Sequence, residues 1–366
     1  MGHRDVQATD CPGGNLYARL GSIRTRVAQL VPSYQAGLAP TLVAPDVTGD
    51  GLVDPLQYQP GPTADVQWEG SRTGALTARA VSVNGTFRPA VGDFDGDGRS
   101  DIVWHASGSA HDYVWWARPS GTVSRALTVN GSYVPIAGDF DGNGVDDILW
   151  YATGLAPDSV WYFERDGTYQ SKPTTQDLIT GVPLVGDFDG DGIDDVFFYG
   201  PGAADDSLWR GRPDRTFRRA SPTVKGWYSP VALDATGDGR DDILWYAPGG
   251  TAAYRWELRA DGTFQSRALT TAAFTGRPVV GDFDGDGAED VLIAAPGSAA
   301  DALWYSTPTG IDAQPVSVNG SYAIAVGPMD STGPGATDDL LFVSATGADF
   351  LWLGQPARTF ASAAVG

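Results

Sequence analysis

The chain has 366 residues, of which 42% are hydrophobic, 48 are Gly and 25 are Pro. This density of Gly and Pro argues against long helices, and the apolar content argues against a disordered chain. With 24 basic and 45 acidic side chains the net charge is −21, which excludes nucleic acid and anionic membrane surfaces as partners.

Cysteine content and hydropathy restrict the chain further. The single cysteine, Cys11, excludes an intramolecular disulfide, and no Cys/His cluster is present that could hold zinc or iron. No apolar stretch approaches the roughly 18 residues of a membrane span, so we expect no membrane insertion. Residues 1–10 are too polar for the core of a signal peptide. We therefore expect a secreted or extracellular chain whose leader is absent.

Residues 1–40 form an N-terminal segment without repeats. Residues 15–21 and 22–31 have the composition of strands. They could supply one or two strands that close a ring by pairing with the last repeat, and this interpretation is preferred, or they could form a separate cap.

From residue 41 onward an acidic segment recurs seven times. Successive copies begin 46 to 48 residues apart, so each period is one structural unit. The copies are DVTGDGLVD at 46–54, DFDGDGRSD at 93–101, DFDGNGVDD at 139–147, DFDGDGIDD at 187–195, DATGDGRDD at 234–242, DFDGDGAED at 282–290 and the irregular DSTGPGATDD at 330–339.

Each period also contains four short runs of β-branched, aromatic and alternating residues, which predict four strands. A tryptophan occurs at the same offset in every copy, and we interpret it as a packing residue between neighbouring sheets. These residues are Trp68, Trp115, Trp161, Trp209, Trp256, Trp304 and Trp352. We therefore predict an all-β fold, a seven-bladed β-propeller of four-stranded antiparallel blades over residues 41–366, with the acidic loops between the first and second strands.

The acidic loops have the composition of a calcium site. In residues 93–101, aspartates occupy loop positions 1, 3, 5 and 9, and Gly98 at position 6 permits a sharp turn. Alternate oxygens that converge on one point suit a hard cation such as Ca²⁺. The loop is not an EF-hand, because Trp104 stands where the bidentate Glu would be and the flanking segments are strand-like.

These loops resemble the FG-GAP/VCBS repeats, the calcium-loop propeller repeats of integrin α-subunit heads and of many secreted bacterial proteins. The resemblance implies that positions 1, 3, 5 and 9 bind Ca²⁺ through side chains and position 7 through its carbonyl oxygen. The implied ligands in four loops are Asp93, Asp95, Asp97 and Asp101; Asp139, Asp141, Asn143 and Asp147; Asp187, Asp189, Asp191 and Asp195; and Asp282, Asp284, Asp286 and Asp290.

Two loops carry Thr at position 3, and we expect their sites to be weaker. Their ligands are Asp46, Thr48, Asp50 and Asp54, and Asp234, Thr236, Asp238 and Asp242. The seventh loop has Pro334 at position 5 and is expected to be empty, which leaves about six Ca²⁺ sites. At millimolar Ca²⁺ and a dissociation constant near 10⁻⁴ M, each site would add about 1.4 kcal/mol to stability. Calcium would then do the work of the missing disulfides, and filled sites of this strength favour an extracellular location.

The propeller face opposite these loops carries turns such as VNGTF and VNGSY. Aromatic rings beside amide and hydroxyl groups suit a carbohydrate, so candidate ligand contacts are Phe87, Tyr133, Trp227, Tyr228 and Tyr322. The alternative is that Asn-Gly is only a tight turn and the aromatic residue packs between blades. We expect a monomer that binds a glycan or an extracellular protein and has no catalytic residues.

An enzymatic alternative rests on the second blade. His105 and His111 flank one loop, and Asp112 could orient His111 as an acid/base pair or a metal site. This alternative is a polysaccharide-acting lyase or hydrolase with one asymmetric site.

Overall fold

The computed structural model describes residues 41–365 except 153–155, 175–180, 203, 260–262, 332–334 and 346. These residues form 28 strands in seven sheets, and each sheet contains four consecutive strands in antiparallel order. The predicted seven-bladed, all-β propeller is confirmed. The described residues form no helix, and none of their segments is a helix long and apolar enough to cross a membrane.

The strands are numbered along the chain, four to a blade. Blades 1 to 3 consist of β1 Thr41–Val43, β2 Leu56–Tyr58, β3 Asp65–Glu69 and β4 Thr77–Val81; β5 Arg88–Gly92, β6 Asp101–His105, β7 Asp112–Trp116 and β8 Val123–Leu127; and β9 Val134–Gly138, β10 Asp147–Tyr151, β11 Ser159–Phe163 and β12 Tyr169–Pro173. Blades 4 and 5 consist of β13 Val182–Gly186, β14 Asp195–Tyr199, β15 Ser207–Arg210 and β16 Arg218–Ala220; and β17 Ser229–Leu233, β18 Asp242–Tyr246, β19 Ala252–Leu258 and β20 Phe264–Thr270. Blades 6 and 7 consist of β21 Arg277–Gly281, β22 Asp290–Ala294, β23 Asp301–Thr307 and β24 Gly310–Val316; and β25 Tyr322–Gly327, β26 Asp339–Ser344, β27 Phe350–Gln355 and β28 Thr359–Ala364.

The four strands of a blade differ in burial. All five residues of β6, β10, β14 and β18 are buried, which explains why second strands read as continuous apolar runs such as DILWY. Fourth strands such as β4 and β8 are almost entirely exposed, and their sequences are polar. First strands such as β1 and β17 are mostly half-buried, so each blade is most buried at its second strand and exposed at its outer strand.

The hydrophobic core lies between adjacent blades. One cluster joins Val103 and Trp116 of blade 2 to Ile148, Trp150 and Phe163 of blade 3. The repeated tryptophan lies on the third strand and packs edge-on against the second strand, as in the Trp150–Trp161 pair with ring centroids 5.0 Å apart. Trp161 also belongs to the cluster that contains Val103 and Trp116 of blade 2, so its predicted role of packing between neighbouring sheets is confirmed.

The ring closes between the last blade and the first. The innermost strands β25 and β1 are neighbours. Across the same boundary the Val53 N–H donates to Pro328 O at 2.7 Å, and the Ser71 N–H donates to Met329 O at 3.2 Å. The predicted closing strands or cap in residues 1–40 lie outside the described residues.

Candidate metal sites and the opposite face

The acidic loops connect the first and second strands and share one face of the ring. In blades 2 to 6, position 9 is also the first residue of the second strand, as with Asp101 in β6 and Asp147 in β10. The buried second strand therefore fixes one carboxylate of each loop. We call the loops of blades 2, 3, 4 and 6, with Asp at position 3, Asp-type loops. The loops of blades 1 and 5, with Thr48 and Thr236 there, are Thr-type loops.

The backbone of each loop curves around the carboxylate of the residue at position 1, which accepts hydrogen bonds from the loop's N–H groups. Asp93 accepts the N–H of Asp97 on Oδ1 at 3.1 Å and the N–H of Gly98 on Oδ2 at 2.8 Å. This winding needs left-handed backbone at Gly96 and Gly98, with φ of 65° and 83°. The loop glycines predicted to allow a sharp turn do so.

The aspartate at position 9 is buried beneath its loop. Asp101 is fully buried and accepts the N–H of Phe94 on Oδ2 at 3.1 Å and the N–H of Ala117 on Oδ1 at 2.8 Å. Burial, with a further contribution from the Asp95 carboxylate, raises the pKa of Asp101 to about 8. Burial and nearby carboxylates also raise the pKa of the matching residues to about 8, and these are Asp147, Asp195 and Asp290. A charged carboxylate in this setting needs a compensating cation.

The Asp-type loops bring their carboxylates together. In each loop three residues place one ligand atom apiece within 4.8 Å of one another. The groups are Asp93, Asp95 and Asp101; Asp139, Asp141 and Asp147; Asp187, Asp189 and Asp191; and Asp282, Asp284 and Asp290. All twelve residues belong to the predicted ligand sets.

Unpaired oxygens identify where a cation is needed. Among the described residues, every buried side-chain oxygen without a hydrogen-bond partner belongs to a predicted ligand, namely Asp95 Oδ1, Asn143 Oδ1, Asp189 Oδ1, Asp195 Oδ2 and Asp242 Oδ2. The Asn143 amide is oriented because its Nδ2 donates to Phe163 O at 2.9 Å, which leaves Oδ1 as the available ligand atom. Buried oxygens rarely lack partners, and a set made only of oxygens fits a hard cation such as Ca²⁺.

The Thr-type loops are arranged differently. Neither is among the groups of three converging ligands found in the described residues. Thr48 Oγ1 and Thr236 Oγ1 instead donate to Asp46 Oδ1 and Asp234 Oδ1, both at 3.4 Å. The weaker sites expected here stay predictions. The seventh loop, predicted to be empty, includes residues 332–334, which lie outside the described residues.

Arginines bound to position 3 were not predicted from the sequence. Arg215 Nε lies 2.7 Å from Asp141 Oδ2, and Arg358 Nε lies 2.7 Å from Asp284 Oδ2. Both arginines come from the turn between the third and fourth strands of the next blade, 74 residues along the chain. Within blades 2 and 4, Arg118 pairs with Asp95, and Arg210 lies 3.6 Å from Asp189. An arginine therefore holds position 3 in each Asp-type loop.

Arg215 and Arg358 adopt strained backbone to make these contacts. Their φ values are 62° and 59°, and they are the only non-glycine residues with positive φ in the described ranges. At the corresponding place blades 1 to 3 have Gly74, Gly121 and Gly167, also with positive φ. The signal in the sequence was an Arg-Thr-Phe turn that occurs twice, at 215–217 and 358–360.

A second unpredicted feature links neighbouring loops. The residue before position 9 makes two hydrogen bonds to the position 1 residue of the preceding blade. Its side chain accepts the backbone N–H of that position 1 residue, and its own backbone N–H donates to the carbonyl oxygen of the same residue. Asp194 does both with Asp139, at 2.8 Å each. We call this pair of bonds the loop clasp. The clasp residues of blades 2 to 7 are Ser100, Asp146, Asp194, Asp241, Glu289 and Asp338. The signal in the sequence was the first acidic residue of each Asp-Asp or Glu-Asp pair, which directly precedes position 9.

The opposite face is built on glycine bridges. Backbone pairs join Gly61 to Gly85, Gly108 to Gly131, Gly202 to Gly226 and Gly297 to Gly320, in each case linking the turn before the third strand to the turn after the fourth. Beside them Asn84, Asn130 and Asn319 are exposed. The repeated turns thus present amide groups to solvent on a rigid backbone.

The candidate aromatic residues on this face pack against the blades. Phe87 is 7% exposed within a core cluster, so its position does not support ligand contact. Tyr133, Tyr228 and Tyr322 are half-buried against the neighbouring second strands. Trp227 is also half-buried and lies over Gly202, where other blades have Thr or Ser. Among the five, Trp227 departs most from the repeat.

The histidines of blade 2 do not form the predicted pair. His105 is 1% exposed, its Nδ1 lies 2.8 Å from Asp112 Oδ1, and its Nε2 accepts the N–H of Tyr133 at 3.2 Å. Burial lowers the pKa of His105 below its usual value, although Asp112 opposes this. Asp112 thus binds His105 and not His111, which is exposed. Tyr58 and Tyr199 fill the place of His105 in blades 1 and 4 and bond the same turns.

Comparison with known proteins agrees with this architecture. A lectin from Agrocybe aegerita that recognises non-reducing terminal N-acetylglucosamine aligns with a TM-score of 0.61 and 19% identity over 75% of this chain and 79% of the lectin. A protein from Lactobacillus plantarum aligns at 0.58 and 10% identity, over 82% of this chain and 91% of its own. The Tc holotoxin of Photorhabdus luminescens aligns at 0.50 and 13% identity, over 88% of this chain and 17% of the toxin chain. At these identities the likeness shows the fold alone.

Sequence comparison identifies the repeat. No curated protein sequence matches the chain. The model of the FG-GAP-like repeat matches residues 93–150, 187–245 and 234–293, which include the acidic loops of blades 2 to 6. The chain is therefore a seven-bladed propeller that contains FG-GAP-like repeats.

Proposed function

We propose that this protein is a calcium-stabilised extracellular binding module whose ligand, a carbohydrate, docks on the face opposite the acidic loops. The observation that carries the calcium part is the restriction of unpaired buried oxygens to predicted ligand residues. Asp95 and Asp195 would each offer such an oxygen to the ion. Bound Ca²⁺ would supply the positive charge that lets the position 9 carboxylates ionise.

An extracellular location accords with this use of calcium. Sites of three or four oxygens on exposed loops bind weakly, and they are filled where Ca²⁺ is millimolar. Six filled sites with dissociation constants near 10⁻⁴ M would together contribute about 8 kcal/mol of stability if independent. A chain with one cysteine and no disulfide would depend on that contribution.

The carbohydrate part rests on the repeated turns. Exposed Asn84, Asn130 and Asn319 stand beside glycine bridges, and the exposed hydroxyl residues Thr86 and Ser132 lie two positions further on. Amide and hydroxyl groups on a fixed backbone suit the hydroxyl groups of a sugar, and the ring of Trp227 could cover its apolar face. The lectin of similar fold that recognises N-acetylglucosamine gives the first sugar to test.

The alternative of a glycan-cleaving enzyme depended on His105, His111 and Asp112, and the bonds of His105 and Asp112 do not favour it. Both ring nitrogens of His105 are engaged in the core, and Asp112 accepts the N–H of Ala106 and of Val129 as well. Asp65 and Asp206 accept equivalent backbone N–H groups in blades 1 and 4, so Asp112 belongs to the repeated framework. Exposed His111 alone does not make an acid/base pair.

A glycan array tests the proposal. The calcium-loaded protein should bind one class of sugar, binding should weaken in chelator, and Trp227→Ala or Asn130→Ala should reduce it. Tyr169→Ala is the matched control, because Tyr169 is a 40% exposed aromatic residue on the outer strand of blade 3, away from that face. Binding lost equally in the control variant, or absent in both conditions, would contradict the carbohydrate proposal and favour a protein ligand.

A further inference from the structure

The two Thr-type loops share a second departure from the other blades. The residue after the repeated tryptophan is Glu69 in blade 1 and Glu257 in blade 5. In the Asp-type blades that residue is Trp116, Tyr162, Arg210 or Tyr305. The chain contains only four glutamates, so half of them coincide with the two loops that lack an aspartate at position 3.

This place on the third strand lies beside the acidic loop. Arg210 reaches Asp189 from it, and the ring of Tyr162 lies 5.5 Å from the guanidinium carbon of Arg215, which binds Asp141. The side chain that follows the repeated tryptophan therefore lies near the position 3 aspartate, either beside it directly or beside the arginine that binds it. A carboxylate at the same place would face the loop.

In blade 5 these groups line a cavity. The cavity measures about 250 Å³ and is lined by the loop residues Thr236, Asp238 and Asp242 together with Glu257. Asp242 is 3% exposed, and its Oδ2 has no hydrogen-bond partner among the described residues. A buried carboxylate oxygen without a partner in a cavity wall indicates a missing ligand.

Glu257 is held in the same way as the position 3 aspartates. Its Oε1 lies 2.7 Å from Arg255 Nη2 and 3.1 Å from Arg267 Nε. In Asp95, likewise, the arginine takes Oδ2 and Oδ1 has no partner. One oxygen bound to a guanidinium and the other left for a cation is thus the arrangement expected at both places.

Blade 1 repeats this arrangement at matching register positions. Arg79 lies opposite Gln67 in the strand pair, as Arg267 lies opposite Arg255. Arg79 Nε is 3.6 Å from Glu69 Oε1. The threonine, the glutamate and the arginine therefore occur together in both blades.

We propose that Glu257 supplies the carboxylate that Thr236 lacks, so that loop 5 holds a divalent, oxygen-seeking cation with Asp238 and Asp242. Glu69 has the same role in loop 1. The identity of the ion as Ca²⁺ rests on the proposed function. The same ligand carboxylate would then come from the loop aspartate in Asp-type blades and from the third-strand glutamate in Thr-type blades.

Crystallography with Tb³⁺ as the probe locates the cation in the unaltered chain. We expect an anomalous peak in loop 5 with a Glu257 oxygen at about 2.3–2.6 Å, in the range of calcium-type coordination. Peaks in the Asp-type loops with none touching Glu257 would overturn this proposal and leave the proposed function standing. No peak in any loop would overturn both.

Calcium stoichiometry by equilibrium dialysis tests the same ligand in solution. Glu257→Gln should lower the number of bound ions by one, and adding Thr236→Asp to that variant should restore it. Glu164→Gln is the matched control, because Glu164 also pairs with an arginine, at 2.6 Å from Arg215, but lies outside the Thr-type loops. An unchanged count in Glu257→Gln, or a lost ion that Thr236→Asp does not restore, would contradict the role of Glu257.

Discussion

The Asp-type and Thr-type loops have the same backbone course but different electrostatics. In the Asp-type loops three ligand atoms converge and an arginine holds position 3. In the Thr-type loops the arginines bind a glutamate of the third strand. The clasp residue is an aspartate for every Asp-type loop, whereas Ser100 and Glu289 clasp the Thr-type loops. The replacement of aspartate by threonine at position 3 thus occurs together with differences in the third strand, in the arginines and in the clasp residue.

The pKa values show the same division. Burial, with nearby carboxylates, raises the pKa at position 9 to about 8 in the Asp-type loops. The same causes raise it only to about 6 for Asp54 and, against the opposing charge of Arg255, to about 7 for Asp242. The Asp-type loops therefore have the greater need for a cation. A loop sequence alone does not define such a site, because strands and neighbouring blades contribute its charge.

We expect the largest effect on the part of the unfolding free energy that depends on Ca²⁺, and this effect should differ between the Asp-type and Thr-type loops. Replacing position 3 by Ala in all four Asp-type loops (Asp95, Asp141, Asp189 and Asp284) should remove about 6 kcal/mol of the stabilisation by millimolar Ca²⁺. Asp50→Ala with Asp238→Ala in the Thr-type loops should remove less than about 3 kcal/mol, because these two sites are expected to be weaker. Urea unfolding with and without chelator measures both. Equal losses per site in the two variants would break the comparison.

The next effect is a pH dependence of the metal-free protein. Asp101 and its equivalents have a pKa of about 8 when folded and about 3.9 when unfolded, so between these values the folded state binds more protons. Stability in chelator should therefore fall as pH rises from 5 to 8. Calcium requires the ionised form, so the increase in Tm on adding Ca²⁺ should grow over the same range.

Asn substitution assigns that pH dependence to a loop class. Asp101→Asn removes one of the four groups with a pKa of about 8, so it should make the fall in stability shallower up to about pH 8, whereas Asp54→Asn should change the curve only below about pH 6. Thermal melting in chelator across this range is the measurement. A metal-free protein that gains stability towards pH 8 would contradict the account.

The loop clasps should give an intermediate effect. Asp194→Ala leaves the N–H of Asp139 without an acceptor and should cost about 1–3 kcal/mol. Asp194→Asn keeps an acceptor and should cost less than about 1 kcal/mol. Ser100→Ala in a Thr-type clasp removes a longer, neutral bond of 3.1 Å and should cost about 1 kcal/mol or less. Denaturant midpoints rank the three, and a Ser100→Ala cost above that of Asp194→Ala would reverse the expected order.

The smallest effect concerns Arg215. Arg215→Gly removes the ion pairs with Asp141 and Glu164 but also relieves the positive φ, so the unfolding free energy should change by about 0.5 kcal/mol or less. Arg215→Ala keeps the strained backbone and should be about 1 kcal/mol less stable than the Gly variant. Unfolding of the two variants side by side checks this. An Ala variant as stable as the Gly variant would show that the backbone strain is not significant.

The sequence was sufficient for the fold and the loops because both depend on local, periodic features. The repeat spacing determined the number of blades, and the alternating aspartates marked ligands that the structure does bring together in four loops. The arginines were missed because Arg215 and Asp141 meet only when adjacent blades pack, 74 residues apart. His105 was misjudged because its burial and its bond to Asp112 depend on the blade core, which a loop motif does not reveal.

Calcium binding by the unaltered chain tests the central claim most directly. In equilibrium dialysis against radioactive Ca²⁺ at millimolar concentration, with Mg²⁺ as competitor, we expect about six ions per chain, about four of which bind more tightly than the rest. This result would agree with four Asp-type and two Thr-type sites. A chain that retains no calcium, or no more than it retains after Asp95, Asp141, Asp189 and Asp284 are all replaced by Ala, would contradict the account.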